Sequence, residues 1–233
     1  MKNAFFQSIF GKLIVSCQAL KGEPLYGSEM MAKMALAAQE GGAVAIRANG
    51  KNDIQAITNE VKLPVIGLIK REYSGSNVYI TPTKREVNSL CETDVAMIAL
   101  DATARKRPGG EQLSELIQYI KKRGKLVMAD ISTVKEGIVA ATLGADCIGT
   151  TLSGYTPYSP QLKQPDFQLI ERLSKSVSLP VLAEGRIWSP EHAVRALQLG
   201  AWSVVVGSAI TRPQLIVNRF QETLLEAGVK KDG

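Results

Sequence analysis

Lys70, Arg47 and Glu184 are the residues most suited to chemistry. Each directly follows an apolar run (64–69, 43–46 and 181–183 respectively) and precedes a short turn. A lysine held beside a second cation and partly out of water loses preference for its charged form. Its amine can then act as a base or form a Schiff base. Glu184 can shuttle a proton or pair with a cation. Asp130, closing the run 126–130, can orient the lysine or bind a substrate hydroxyl, and the Gln18 amide can both donate to and accept from a polyol. The competing reading of Lys70-Arg71 is a solvated basic pair. Many strands end in a polar residue simply because the chain reaches solvent.

A second group suggests an anion. Gly185-Arg186 and Gly207-Ser208 follow the last two apolar runs, with Arg212 close by. Glycine turns after strands expose backbone N–H groups, and such groups can cradle phosphate. Turns use glycine in any case, so the pair and its arginines carry the reading together. The basic loop 105–107 fits either a solvated loop or substrate steering. His192 fits helix packing, and the methionines of 31–34 fit a core.

These residues need a scaffold that brings eight chain segments to one place. Short apolar runs at 13–18, 43–47, 64–70, 95–100, 126–130, 147–151, 181–184 and 203–206 alternate with helical patterns. The clearest helix has Leu113, Leu116, Ile117 and Ile120 at three-four spacing. Ser28 is placed to cap a helix. Pro190 and Pro213 are placed to open two more. Eight such units in 233 residues point to a single (β/α)₈ TIM barrel, one domain over 1–233. Residues 1–10 should form an N-terminal covering helix with Phe5, Phe6, Ile9 and Phe10 on its apolar side. A doubly wound sheet is the alternative, but no glycine fingerprint follows the first run. In a barrel, catalytic groups lie where strands end at their C-termini. Those ends are Gln18, Arg47, Lys70, Asp101, Asp130, Thr150-Thr151, Glu184 and Gly207.

Composition narrows the function. The net charge of +6 is spread along the chain among acids, and aromatic residues make up only 6%, so no nucleic-acid platform is visible. A mildly positive enzyme with a small anionic substrate fits better. One histidine rules out a histidine-based metal cluster, and the three cysteines have neither metal spacing nor a disulfide framework. No run of about 18 apolar residues could span a membrane, and residues 1–10 lack the features of a signal peptide. The expectation is a cytoplasmic protein with no membrane, nucleic-acid or metal partner.

Segments from every unit between about 11 and 213 resemble bacterial N-acetylmannosamine-6-phosphate 2-epimerases. They include Ala45-Ile46-Arg47-Ala48, Gly67-Leu68-Ile69-Lys70, Met128-Ala129-Asp130, Gly149-Thr150-Thr151-Leu152-Ser153-Gly154-Tyr155, Ala183-Glu184-Gly185-Arg186 and Val206-Gly207-Ser208. The resemblance implies a cofactor-independent isomerase of sialic acid degradation. Such an enzyme interconverts N-acetylmannosamine 6-phosphate and N-acetylglucosamine 6-phosphate through deprotonation at C2. It implies Lys70, Glu184, Arg47 and Asp130 as catalytic residues, and Gln18, Arg47, Asp130, Gly185, Arg186, Gly207 and Ser208 as substrate-binding ones. It also implies a homodimer. A Schiff-base aldolase and a non-catalytic phosphosugar sensor remain as alternatives.

Overall fold

The strands are apolar on both faces, which demands cover inside and out. In the computed structural model, which describes residues 2–228, eight parallel strands close on themselves in chain order. They are β1 (Leu13–Cys17), β2 (Ala45–Asn49), β3 (Val65–Leu68), β4 (Met97–Asp101), β5 (Leu126–Asp130), β6 (Cys147–Gly149), β7 (Val181–Glu184) and β8 (Ser203–Val206). Between them run α2 (Ser28–Glu40), α3 (Lys51–Glu60), α4 (Lys84–Cys91), α5 (Leu113–Lys122), α6 (Val134–Thr142), α7 (Phe167–Ser176) and α8 (Pro190–Gln198). α1 (Lys2–Ile9) precedes the barrel, and α9 (Ser208–Thr211) and α10 (Pro213–Glu226) follow it. The fold is the expected (β/α)₈ barrel.

Side chains alternate along each strand, so every second residue faces inward. Ile14, Ala45, Ile66, Leu68, Met97, Ala99, Met128, Cys147, Leu182 and Val205 form one buried cluster inside the barrel. Val15, Ile46, Val65, Ile98, Val127 and Ile148 belong to the separate cluster shared with the helices. Two residues beyond the last apolar inward positions come Ser16, Arg47, Lys70, Asp101, Asp130, Glu184 and Gly207. The polar strand ends are therefore the next inward rung of the same packing. Register holds them level: Ser16 lies opposite Arg47, Asp101 opposite Asp130, and Glu184 opposite Val205.

α1 supplies Phe6 and Ile9 to the inner cluster, each burial contributing about 2 kcal/mol. The Trp202 indole N–H donates to the Phe6 carbonyl at 2.7 Å. Phe10 departs from the expected apolar face: it lies beyond the helix end and is 58% exposed, with its ring centroid 4.6 Å from that of Trp202.

Other boundaries shift for local reasons. Ser28 is not the cap of α2. Gly27 is, and the Ser28 hydroxyl instead donates to Asp53 at 2.6 Å. β3 and β6 stop two residues before Lys70 and Thr151 because the chain leaves the sheet there. β2 runs two residues past Arg47, to Asn49. Capping boxes start α4 (Thr83 with Glu86) and α6 (Thr133 with Glu136).

Candidate active site

The strand ends surround a cavity of about 810 Å³, lined by Ser16, Gln18, Arg47, Lys70, Glu184, Gly185, Arg186, Gly207 and Ser208 among others. That volume lies in the range of small-molecule sites. All the expected site residues except Asp130 reach its wall.

Arg47 is the hub. It is 2% exposed and extends from β2 across the barrel mouth. Its Nη1 donates to Glu184 Oε1 at 3.0 Å and its Nη2 to Asp130 Oδ2 at 2.5 Å. Burial opposes the arginine's charge, but Asp130 and Glu184 outweigh it and push its pKa further up. A buried arginine is tolerable only with such partners.

Thr151 sits between the same two acids. Its Oγ1 lies 2.7 Å from Asp130 Oδ1 and 3.0 Å from Glu184 Oε2, and its one proton serves one carboxylate at a time. Burial raises the Asp130 pKa, with Arg47 opposing and Glu184 reinforcing the rise. Thr150 grips the backbone of Glu184 from the other side, accepting from its N–H at 3.0 Å and donating to its carbonyl at 2.9 Å. Gly149 keeps this floor open: a Cβ there would meet Asp130 Oδ1 at 2.8 Å and Met128 Cε at 2.4 Å.

Lys70 is half-buried on the cavity wall. Burial lowers its pKa from 10.5 to about 8, helped by Arg47 and Arg212 and resisted by Glu184 and Asp130. The expected cationic neighbour is thus in place. Asp130 departs from expectation. It is fully buried and does not line the cavity, and both its oxygens are engaged by Arg47 and Thr151. It lies under the floor and holds Arg47 and Thr151, which do face the cavity.

At the β7 and β8 ends, the N–H groups of Gly185, Arg186, Ile187, Gly207, Ser208 and Ala209 find no protein acceptor among the described residues. Gly185 has φ +114 and Arg186 φ +55, so the turn after β7 is left-handed at both residues. The Arg186 side chain turns to the neighbouring loop. It donates to the carbonyls of Ser153 at 2.7 Å and Gly154 at 3.2 Å, and its guanidinium stands 4.7 Å from the Tyr155 ring centroid. Its contribution to an anion site is therefore through the backbone. Arg212 pairs with Glu23 at 2.9 Å, and its Nε is buried without a partner among the described residues, as are Arg47 Nε and Gln18 Oε1. Unmatched buried polar atoms are costly, and at a cavity wall a polar ligand can match them.

Other expected residues fall elsewhere. Asp101 accepts from Thr103 and Arg105, and Arg107 is buried and donates to the Pro82 carbonyl at 3.2 Å. The basic loop is therefore framework, neither solvated throughout nor aimed at the cavity. His192 packs edge-on to Phe167. Sequence reasoning missed Ser16, Tyr79, Trp188 and Leu215 on the wall. Ser16 could have been found, because it shares the inward face with Ile14. Tyr79 lies in the connection between β3 and α4, where no periodicity marks it. Burial raises its pKa to about 12, which keeps the phenol a hydrogen-bond donor. Among the described residues no group of three or more His, Cys, Asp or Glu side chains is arranged to hold a metal ion.

The sequence model of a family described as N-acetylmannosamine-6-phosphate epimerase matches residues 31–226. A Clostridium perfringens protein bearing the name N-acetylmannosamine-6-phosphate 2-epimerase is 59% identical over 214 residues, spanning 92% of this chain and 97% of its own. A Listeria monocytogenes protein of the same name is 48% identical over 224 residues, 94% of each chain. The solved structure of the Clostridium perfringens N-acetylmannosamine-6-phosphate 2-epimerase matches with a TM-score of 0.93 at 57% identity, covering 94% of this chain and 96% of that one. A thiamine phosphate pyrophosphorylase from Pyrococcus furiosus, at TM-score 0.57 and 17% identity, shares the fold alone.

Proposed function

The chain belongs to the N-acetylmannosamine-6-phosphate epimerase family, and from that premise we propose that Lys70 is the base that inverts C2 of the sugar phosphate. Inversion at C2 of N-acetylmannosamine 6-phosphate gives N-acetylglucosamine 6-phosphate, and this is the reaction the enzyme catalyses.

The C2 proton becomes acidic only when the pyranose opens and C1 becomes an aldehyde. Glu184, half-buried at the cavity wall, is the group that assists ring opening by proton transfer. Lys70 then removes the C2 proton, and the negative charge that develops on O1 is stabilised by the Arg47 cation. The proton returns to the opposite face. Asp130 and Thr151 keep Arg47 and Glu184 in place. Gln18 offers its unmatched carbonyl oxygen to a sugar hydroxyl. The phosphate is held by the free N–H groups of Gly185, Arg186, Gly207 and Ser208, with Arg212 adding charge. No organic cofactor or metal is needed for this proton transfer.

The observation that carries this reading is Lys70 itself. With a pKa lowered to about 8, about one molecule in ten has a neutral amine at pH 7, against about one in three thousand for an ordinary lysine. The phosphate seat is tested by comparing the 6-phosphate with unphosphorylated N-acetylmannosamine. Loss of the ester should lower kcat/KM at least about a thousandfold, since remote binding energy is used at the reacting carbon. Equal turnover of the two sugars would remove the phosphate assignment.

The described chain has no helix long and apolar enough to cross a membrane. A phosphorylated sugar does not cross a bilayer unaided, which supports a cytoplasmic location. We read the chain as one domain. The partner of α10 is a second copy of the chain: none of that helix is buried, and it exposes Val217, Phe220, Leu224 and Leu225.

A further inference from the structure

Lys70 lies beyond the end of its strand, where the sheet no longer holds it. β2 stops at Asn49 because Gly50, at φ +93, turns the chain into α3. The Gly50 N–H donates to the Leu68 carbonyl at 2.8 Å, and that is the last backbone rung between the two strands. The next N–H on the β3 side is that of Lys70, and β2 has no carbonyl left to offer it. The Asn49 side chain fills the gap: its Oδ1 accepts from the Lys70 N–H at 2.8 Å. Asn49 shares the inward face with Arg47, one rung higher.

The opposite edge is held as well. The connection after Lys70 folds back so that Ile80 pairs antiparallel with Lys70. Arg71 N–H donates to the Tyr79 carbonyl at 2.9 Å, and Thr81 N–H to the Ile69 carbonyl at 2.8 Å. Thr81 is held at φ +43, a strained position for a β-branched residue, while its hydroxyl donates to the Ala99 carbonyl at 2.6 Å. The peptide carrying Lys70 is thus clamped between a side chain on one edge and a returning segment on the other.

We propose that Asn49 is a positioning residue for the reaction, acting through the Lys70 backbone to present the lysine amine to the cavity. This rests on the reading of Lys70 as the base. The choice of residue type follows from charge. Serine is too short to replace the missing carbonyl. Aspartate would reach, but it would place a negative charge beside the lysine and favour the ammonium form. A neutral amide supplies the acceptor without protonating the base. The charges that already face Lys70 are Arg47 from β2, Arg212 from the segment joining α9 to α10, Glu184 from β7 and Asp130 from β5.

The test compares Asn49→Leu, Asn49→Asp and Lys70→Ala with the unchanged enzyme, measuring kcat, KM and the pH profile of kcat/KM on N-acetylmannosamine 6-phosphate. Asn49→Leu should lower kcat at least about tenfold while KM stays within about threefold, because the loss is of alignment and not of binding. Asn49→Asp should keep kcat within about threefold above pH 9 and move the acid limb upward by about half a pH unit or more. A kcat within twofold for Asn49→Leu, or an unmoved limb for Asn49→Asp, overturns the inference. If Asn49→Leu does not fold, Asn49→Asp decides alone. Failure of the underlying reading is distinct: Lys70→Ala would then stay active.

Discussion

Replacing the proposed base should make the protein more stable while removing its activity. Lys70 is held with a pKa of about 8, against 10.5 for an ordinary lysine, chiefly because burial penalises the ammonium. At neutral pH the folded protein carries that penalty in full, and the displacement corresponds to at most about 3 kcal/mol. Methionine fills similar space without charge, so Lys70→Met should gain close to that amount at pH 7. The sign over pH is fixed by linkage. The unfolded chain keeps its lysine proton up to about 10.5, while the folded chain gives it up near 8. Wild-type stability therefore rises with pH across that window, and the mutant's advantage shrinks to under about 1 kcal/mol by pH 10. Urea unfolding followed by tryptophan fluorescence at pH 7 and pH 10 measures both values. Equal stability of the two proteins at pH 7, or an advantage undiminished at pH 10, would refute the reasoning that burial displaces this lysine.

Two further outcomes follow from other parts of the molecule. Glu136, 6% exposed, accepts from the N–H groups of Ala104, Ser132 and Thr133 and from the hydroxyls of Ser132 and Tyr158. Glu136→Gln should cost about 2 kcal/mol at pH 7 by turning an acceptor into a donor. Burial favours its neutral form, but these donors outweigh that and lower its pKa. The cost should therefore fade as pH drops below 4.5 in acid urea titrations. Phe220→Glu on α10 should convert a dimer to monomer in analytical ultracentrifugation, with monomeric wild type as the contrary result.

The fold was legible because its periods were intact. Apolar runs such as Val127 to Ala129 and Ala183 before Glu184 are strands with their last inward side chain still attached, so the barrel and its polar rim were read from one pattern. Arg47, Lys70 and Glu184 were legible for the same reason. Asp130 was legible as a strand end but not as a buried one, because depth depends on Gly149 leaving room beside it. The basic loop could not be assigned from its charges, since Arg107 is buried by packing that brings Pro82 from another unit. Asn49 was out of reach because it acts through a contact with Lys70 in the next unit, and Tyr79 because it lies in a connection with no periodicity. Ser28 misled because Gly27 starts the helix one residue earlier and leaves the hydroxyl for Asp53.

The most direct test of Lys70 as the base is an NMR time course with N-acetylmannosamine 6-phosphate in D₂O, with chelator present, for wild type and Lys70→Ala. Wild type should form N-acetylglucosamine 6-phosphate bearing deuterium at C2. Lys70→Ala, folded and still binding the ester, should form no product and exchange no C2 proton. Product or exchange at the wild-type rate from Lys70→Ala would contradict it.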